Sequence, residues 1–169
     1  YEVLAAAIAA KRGTRLADGK WLALAGPRMP DEQFDRLSEL AGHHRVVLER
    51  YRAGLTGLMA RAQLSVQRAG YNTVADLLAA GCRGVLVPDA AGGQMEQPLR
   101  AAKLAARGAV VVVDEARLSP QTMAEAVDRA LASKPGAVAL DLDGAAGAAD
   151  ALCALYRDYQ LAQDAAEHS

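Results

Sequence analysis

Short, almost wholly apolar runs alternate along this chain with longer segments whose apolar residues recur at helical spacing, and Gly or Pro marks most junctions. A strand without a polar face has to be covered on both sides, so the alternation points to a parallel sheet between two layers of helices. The strand patterns are "WLALAG" from Trp21, "HRVVLERY" from His44, "LSVQ" from Leu64, "GVLVPD" from Gly84 and "AVVVVDE" from Ala109. Between them lie "MPDEQFDRLSELAG", "GLTGLMARA" and "QMEQPLRAAKLAARG", and after the last comes "LSPQTMAEAVDRALAS", each read as a helix. The last of these has Ser119 as its N-cap and Pro120 at its first position, and Gly108 closes the one before. The chain opens inside a further helix, carried by Val3, Leu4, Ala7 and Ile8 and stopped at Gly13. The expected fold is α/β, a Rossmann-like doubly wound parallel sheet with strands near residues 21, 46, 64, 84 and 110. Residues 1–135 form that domain. Residues 136–169, an extended "AVALDL" segment and an Ala-rich helix, are expected to pack on it or on an N-terminal domain.

With 169 residues, 52% of them hydrophobic, the chain is long enough to bury one sizeable core. Its formal net charge of −1 comes from intermixed acids and bases, which argues against a nucleic-acid surface. The sequence has no apolar run of about 18 residues and no charge-first leader, so a soluble, intracellular protein without a membrane span is expected. Cys82 and Cys153 form no CxxC pair and have no His at ligand spacing; reduced, structural thiols and no metal site are expected.

The most decorated junction is "QRAGYNTVADLLAAG", residues 67–81. Ligands of open parallel sheets bind where strand C-termini meet helix N-termini, because unpaired amides and the helix dipole favour an anion there. Gly70 would let the backbone turn sharply and approach a ligand, and Asn72 or Thr73 would cap the helix. Asp76 lies three residues beyond Thr73, as the acid of a capping box does. Arg68 reads equally as a solvated strand-end charge, and Tyr71 as a lid over the sheet edge.

As an ordered string, residues 20 to 133 resemble the C-terminal, donor-binding domain of nucleotide-sugar glycosyltransferases of the two-Rossmann, GT-B type. The likeness is to family 28, the bacterial enzymes of lipid-linked peptidoglycan precursors and their relatives, and is most specific between Arg68 and Gln97. That resemblance implies a nucleotide-sugar donor, with uridine diphosphate the expected carrier. It gives Arg68, Ala69 and Gly70 the role of a turn whose amides approach the diphosphate, flanked by Tyr71 and Asn72. Thr73, Val74 and Asp76 then stand where the family has Thr-Val-x-Glu, and Asp76 would bond the ribose hydroxyls with a reach one methylene shorter. Glu96 and Gln97, after the Gly92-Gly93 loop, correspond to a pair that contacts the donor sugar and phosphates. The alternative for Glu96 is an acid that complements a helix dipole without any ligand; the order of loop and helix at the same sheet edge favours the donor role. Tyr51 and Arg52 fall beside the nucleobase. His43 and His44, at a helix-to-strand turn, are expected to be exposed loop residues rather than a catalytic pair.

The resemblance further implies that the catalytic base and acceptor site belong to an N-terminal domain or partner chain. The chain then corresponds to a piece of a longer enzyme or to a donor-binding subunit, inactive by itself and binding donor weakly at most. Such an enzyme transfers a hexosyl or N-acetylhexosaminyl group in the cytoplasm, needs no cofactor or metal, and meets the inner membrane only peripherally. A non-catalytic nucleotide-sugar-binding or regulatory module on the same fold is the alternative. The related sugar-nucleotide 2-epimerases need acids and histidines that have no counterpart here.

Overall fold

A computed structural model describes residues 1–89, 95–133, 147 and 149–157. They fall into two compact units, Tyr1–Val138 and Ala139–Ser169. In the first, the element order is α1 (Glu2–Ala10), a 3-10 turn (Lys11–Gly13), β1 (Leu22–Leu24), α2 (Asp31–His44), β2 (Val47–Glu49), α3 (Leu55–Met59), β3 (Ser65–Arg68), α4 (Tyr71–Ala79), β4 (Gly84–Val87), α5 (Glu96–Ala106), β5 (Val110–Val112), a second 3-10 turn (Glu115–Arg117) and α6 (Pro120–Ala132). Every strand pair among the described residues is parallel. All five strands lie where the apolar runs place them, within a doubly wound α/β layer.

The ladders form two groups, β1-β2 and β3-β4-β5, and among the described residues no ladder joins them. The doubly wound order would put one more strand at the centre, between β1 and β3. The "AVALDL" segment expected as one way of filling that place lies outside the described residues. Helix α1 bridges the break: its Ile8 packs with Ala23, Leu37, Ala41 and Val46. Its Val3, Ala7 and Ala10 pack with Val85 and Val87 of β4 and with Met123, Ala126, Val127 and Ala130 of α6.

Strand β4 is buried at every position, which its lack of a polar residue requires. Val85 and Val87 face α1 and α6, so Gly84 and Leu86 face the opposite side by the two-residue alternation of a strand. Leu77 of α4 fills that side: a Cβ added to Gly84 would lie 2.5 Å from its Cδ2 and 3.2 Å from Val110 Cγ1. Gly84 is thus a close-packing residue. Gly81 and Gly108 end α4 and α5 with φ of 62° and 70°, the left-handed region in which an L side chain is strained. Ser119 caps α6 as expected, with Pro120 at its first position and Thr122 completing a capping box.

Two expectations are corrected here. His43 and His44 are not loop residues: they form the last turn of α2, which runs on until Arg45 turns left-handed, and His44 is half-buried. Burial lowers the His44 pKa below the ordinary imidazole value, with Arg12, His43 and Lys11 adding to the effect, and its Nδ1 is buried with no hydrogen-bond partner. Both cysteines are free, but only Cys82 is buried, where desolvation pushes its thiol pKa up. Cys153 is exposed on the helical stretch 149–157 of the second unit, so a structural thiol describes Cys82 alone.

Candidate functional site

Because β3, β4 and β5 are parallel, their carboxyl ends share one edge, and the N-termini of α4 and α5 open from that edge. Helix α4 begins at Tyr71 with Gly70 as N-cap, and no side chain caps it. The expected cap at Asn72 or Thr73, and with it the capping box to Asp76, is therefore overturned: both residues lie inside the helix. Gly70 has φ −63° and ψ 151°, extended backbone open to any residue, and a Cβ there would meet only Thr73 Oγ1 at 3.6 Å. The turn does not need glycine for its conformation. What glycine provides is a clear approach to the uncapped first-turn amides.

Asp76, freed from capping, accepts a hydrogen bond from Thr56 Oγ1 of α3 at 2.6 Å on its Oδ1. This ties α4 to the segment that follows Tyr51 and Arg52. Both of those residues are exposed, and the Arg52 guanidinium pairs with both carboxylate oxygens of Glu49 at the end of β2. Arg68, the last residue of β3, is not a solvated charge: its Nη2 donates to Glu115 Oε1 at 2.5 Å, and its Nη1 is buried without a partner.

The α5 side is joined to this turn by a residue the sequence did not single out. Arg100 donates from Nη1 to the carbonyl of Ala69 at 2.7 Å, pairs through Nη2 with Glu96, and lies over the Tyr71 ring at 5.6 Å from its centroid. Gln97 accepts a hydrogen bond from the Asp89 amide at 3.1 Å, tying α5 to the loop that leaves β4. Gln67, buried in β3, donates to the Thr73 carbonyl at 3.0 Å and anchors α4 from below. The structure therefore brings together Arg68, Ala69, Gly70, Tyr71, Glu96 and Gln97 at one edge. Asp76 stands one turn into α4, and Gly92 and Gly93 lie outside the described residues. Thr56, Arg100 and Glu115 complete the edge. Of these, only the i,i+4 spacing of Glu96 and Arg100 left a sequence signal.

Two helix N-termini open at this edge, where Arg68 and Arg100 are paired with Glu115 and Glu96 and the Asp76 carboxylate is set back by one turn. Sheet, helix placement and edge together define the C-terminal, Rossmann-like half of a GT-B glycosyltransferase architecture. The sequence profile of the glycosyltransferase family 28 C-terminal domain matches residues 5–148, and the chain belongs to that family. It is 32% identical over 103 residues to the UDP-N-acetylglucosamine–N-acetylmuramyl-(pentapeptide) pyrophosphoryl-undecaprenol N-acetylglucosamine transferase of Syntrophotalea carbinolica, covering 59% of this chain and 29% of the relative. The protein of the same name from Paenarthrobacter aurescens is 41% identical over 71 residues, 42% of this chain and 19% of the relative. The chain thus spans less than a third of the curated relatives it matches. Among solved structures, spinosyn forosaminyltransferase SpnP shares the fold with a TM-score of 0.53 at 19% identity, over 72% of this chain and 28% of that one.

Proposed function

We propose that this chain is the half of a glycosyltransferase that holds a nucleoside-diphosphate sugar, with uracil as the base, for transfer of a hexosyl or N-acetylhexosaminyl group. The observation that carries the reading is the convergence of the α4 and α5 N-termini, with the Gly70 turn leaving the α4 amides uncapped. Their dipoles favour the diphosphate. Asp76 is held on one oxygen by Thr56; on this reading its other oxygen accepts from the ribose hydroxyls, and Tyr51 and Arg52 take the base side. The names of the relatives, which specify a UDP-N-acetylglucosamine donor, support uridine and an N-acetylhexosaminyl group.

In the transfer, the acceptor oxygen forms a bond to the sugar's anomeric carbon as the bond to the diphosphate breaks. The bonding electrons leave with the diphosphate, and the acceptor proton passes to a base. Helix amides supply positive potential for the leaving group, so the reading calls on no metal. Asp76, Glu96 and Glu115 each accept a hydrogen bond within the domain, and the reading gives the base and the acceptor site to a second domain or chain. None of the described helices is long and apolar enough to cross a membrane. A lipid-linked acceptor such as the relatives' names specify would be reached from the cytoplasmic face of the inner membrane, by peripheral contact through that second half.

The test is UDP affinity and sugar transfer by the full protein and by its Asp76→Ala and Gln97→Ala variants. Each substitution removes a hydrogen-bonding side chain and is expected to weaken UDP binding about tenfold or more. Unchanged affinity in both would contradict the assignment. UDP binding with no turnover of any nucleotide sugar and acceptor would favour a non-catalytic binding module instead.

A further inference from the structure

We infer that Arg100 is a positioning residue of the donor site, acting through the Ala69-Gly70 peptide. The inference rests on the donor reading above and extends it to a residue outside the motif positions, marked in the sequence only by its i,i+4 spacing from Glu96. An exposed i,i+4 Glu-Arg pair is ordinarily a weak surface feature. Here the Arg100 side chain is only 20% exposed, and its second nitrogen reaches a carbonyl 31 residues away in sequence. Ala69 itself is fully buried, so its carbonyl has few other partners to turn to.

A trans peptide unit is planar, with its C=O and N–H pointing in opposite directions. Holding the Ala69 oxygen toward α5 therefore sets where the Gly70 N–H points. That amide opens the row of donors that α4 presents, because Gly70 is the helix N-cap. The same guanidinium fixes two more groups at the edge. Its other nitrogen holds Glu96 at the start of α5, and its face lies over Tyr71, which is 72% exposed and forms the rim of the turn. Only a planar fork holds three groups in this way; a lysine ammonium at the same place keeps the charge and loses the geometry.

The experiment compares the full protein with Arg100→Ala, Arg100→Lys and Asp76→Ala, reading UDP affinity, donor and acceptor KM, kcat and melting temperature. Both Arg100 variants are expected to bind UDP about tenfold more weakly, as the loss of a charge-assisted hydrogen bond implies. Donor KM should rise with it while acceptor KM stays constant, and the melting temperature should move by no more than about 4 °C. If Arg100→Lys restores wild-type affinity, charge alone is what matters and the positioning role is wrong. If wild type binds UDP and Asp76→Ala weakens it while both Arg100 variants bind as wild type, the inference fails and the donor reading stands. If wild type binds no nucleoside diphosphate, the donor reading itself fails and this inference falls with it.

Discussion

Replacing Gly70 with Ala separates what this turn does for the fold from what it does for a ligand. In the structure Gly70 has φ −63° and ψ 151°, which alanine adopts freely, and the new methyl would meet Thr73 Oγ1 at 3.6 Å, an ordinary contact. Removing glycine's freedom from the unfolded chain stabilises by about 0.4–1 kcal/mol where the native backbone is compatible. Alanine is, however, a poorer N-cap than glycine, at a cost of about 0.5–1 kcal/mol. The two effects oppose each other, so Gly70→Ala is expected to change unfolding free energy by less than about 1 kcal/mol. The methyl group also stands beside the uncapped amides of α4, where close backbone approach to a diphosphate leaves little room, and UDP affinity is expected to fall about tenfold. Urea denaturation and UDP titration of the same preparation read both quantities. A loss of more than about 2 kcal/mol would show that the fold needs glycine here, and would refute the spatial argument. Full stability with unchanged affinity would show that no ligand comes near the turn.

Further outcomes follow from the core and from α2. Leu77→Ala removes a fully buried side chain packed against Gly84, and is expected to cost about 2–5 kcal/mol by denaturant titration. In Leu77→Ala/Gly84→Ala the added methyl occupies part of the vacated space, so the double variant should lose less than the sum of the two single losses. His44 has its folded pKa lowered, chiefly by burial, so the unfolded chain takes up a proton first as pH falls. Its contribution to stability is present above the ordinary value of about 6.5 and is lost as pH drops below it toward the folded value. Stability measured from pH 7.5 to pH 5 should therefore fall more steeply in wild type than in His44→Asn, and parallel curves would refute the assignment.

The layer was legible because its signals are local. Five apolar runs gave five strands, and Gly81, Gly108, Ser119 and Pro120 marked helix ends by backbone chemistry that acts within a turn. The edge was legible as a place but not as a set of contacts. Asp76 is held by Thr56 from 20 residues away, Arg68 by Glu115 from 47, and Ala69 by Arg100 from 31. Such pairings are products of the fold, and no spacing announces them. The capping box was misplaced for a related reason. Thr-x-x-Asp satisfies the pattern, but α4 starts three residues earlier, with Gly70 as its N-cap, and Asp76 finds a partner on another helix. Likewise, the His43-His44 pair looked like a turn because Gly42 reads as a helix stop, whereas α2 runs through it until the left-handed Arg45.

The central claim is that this edge holds a nucleoside diphosphate through the α4 turn and Asp76. Calorimetric titration of the full protein with uridine, thymidine, guanosine and adenosine diphosphates, each repeated with Asp76→Ala, tests it most directly. The expected result is saturable binding of one uridine diphosphate per chain, weaker binding of the other three, and about tenfold weaker uridine diphosphate binding in Asp76→Ala. No saturable binding of any of the four, or uridine diphosphate binding unaltered by Asp76→Ala, would contradict it.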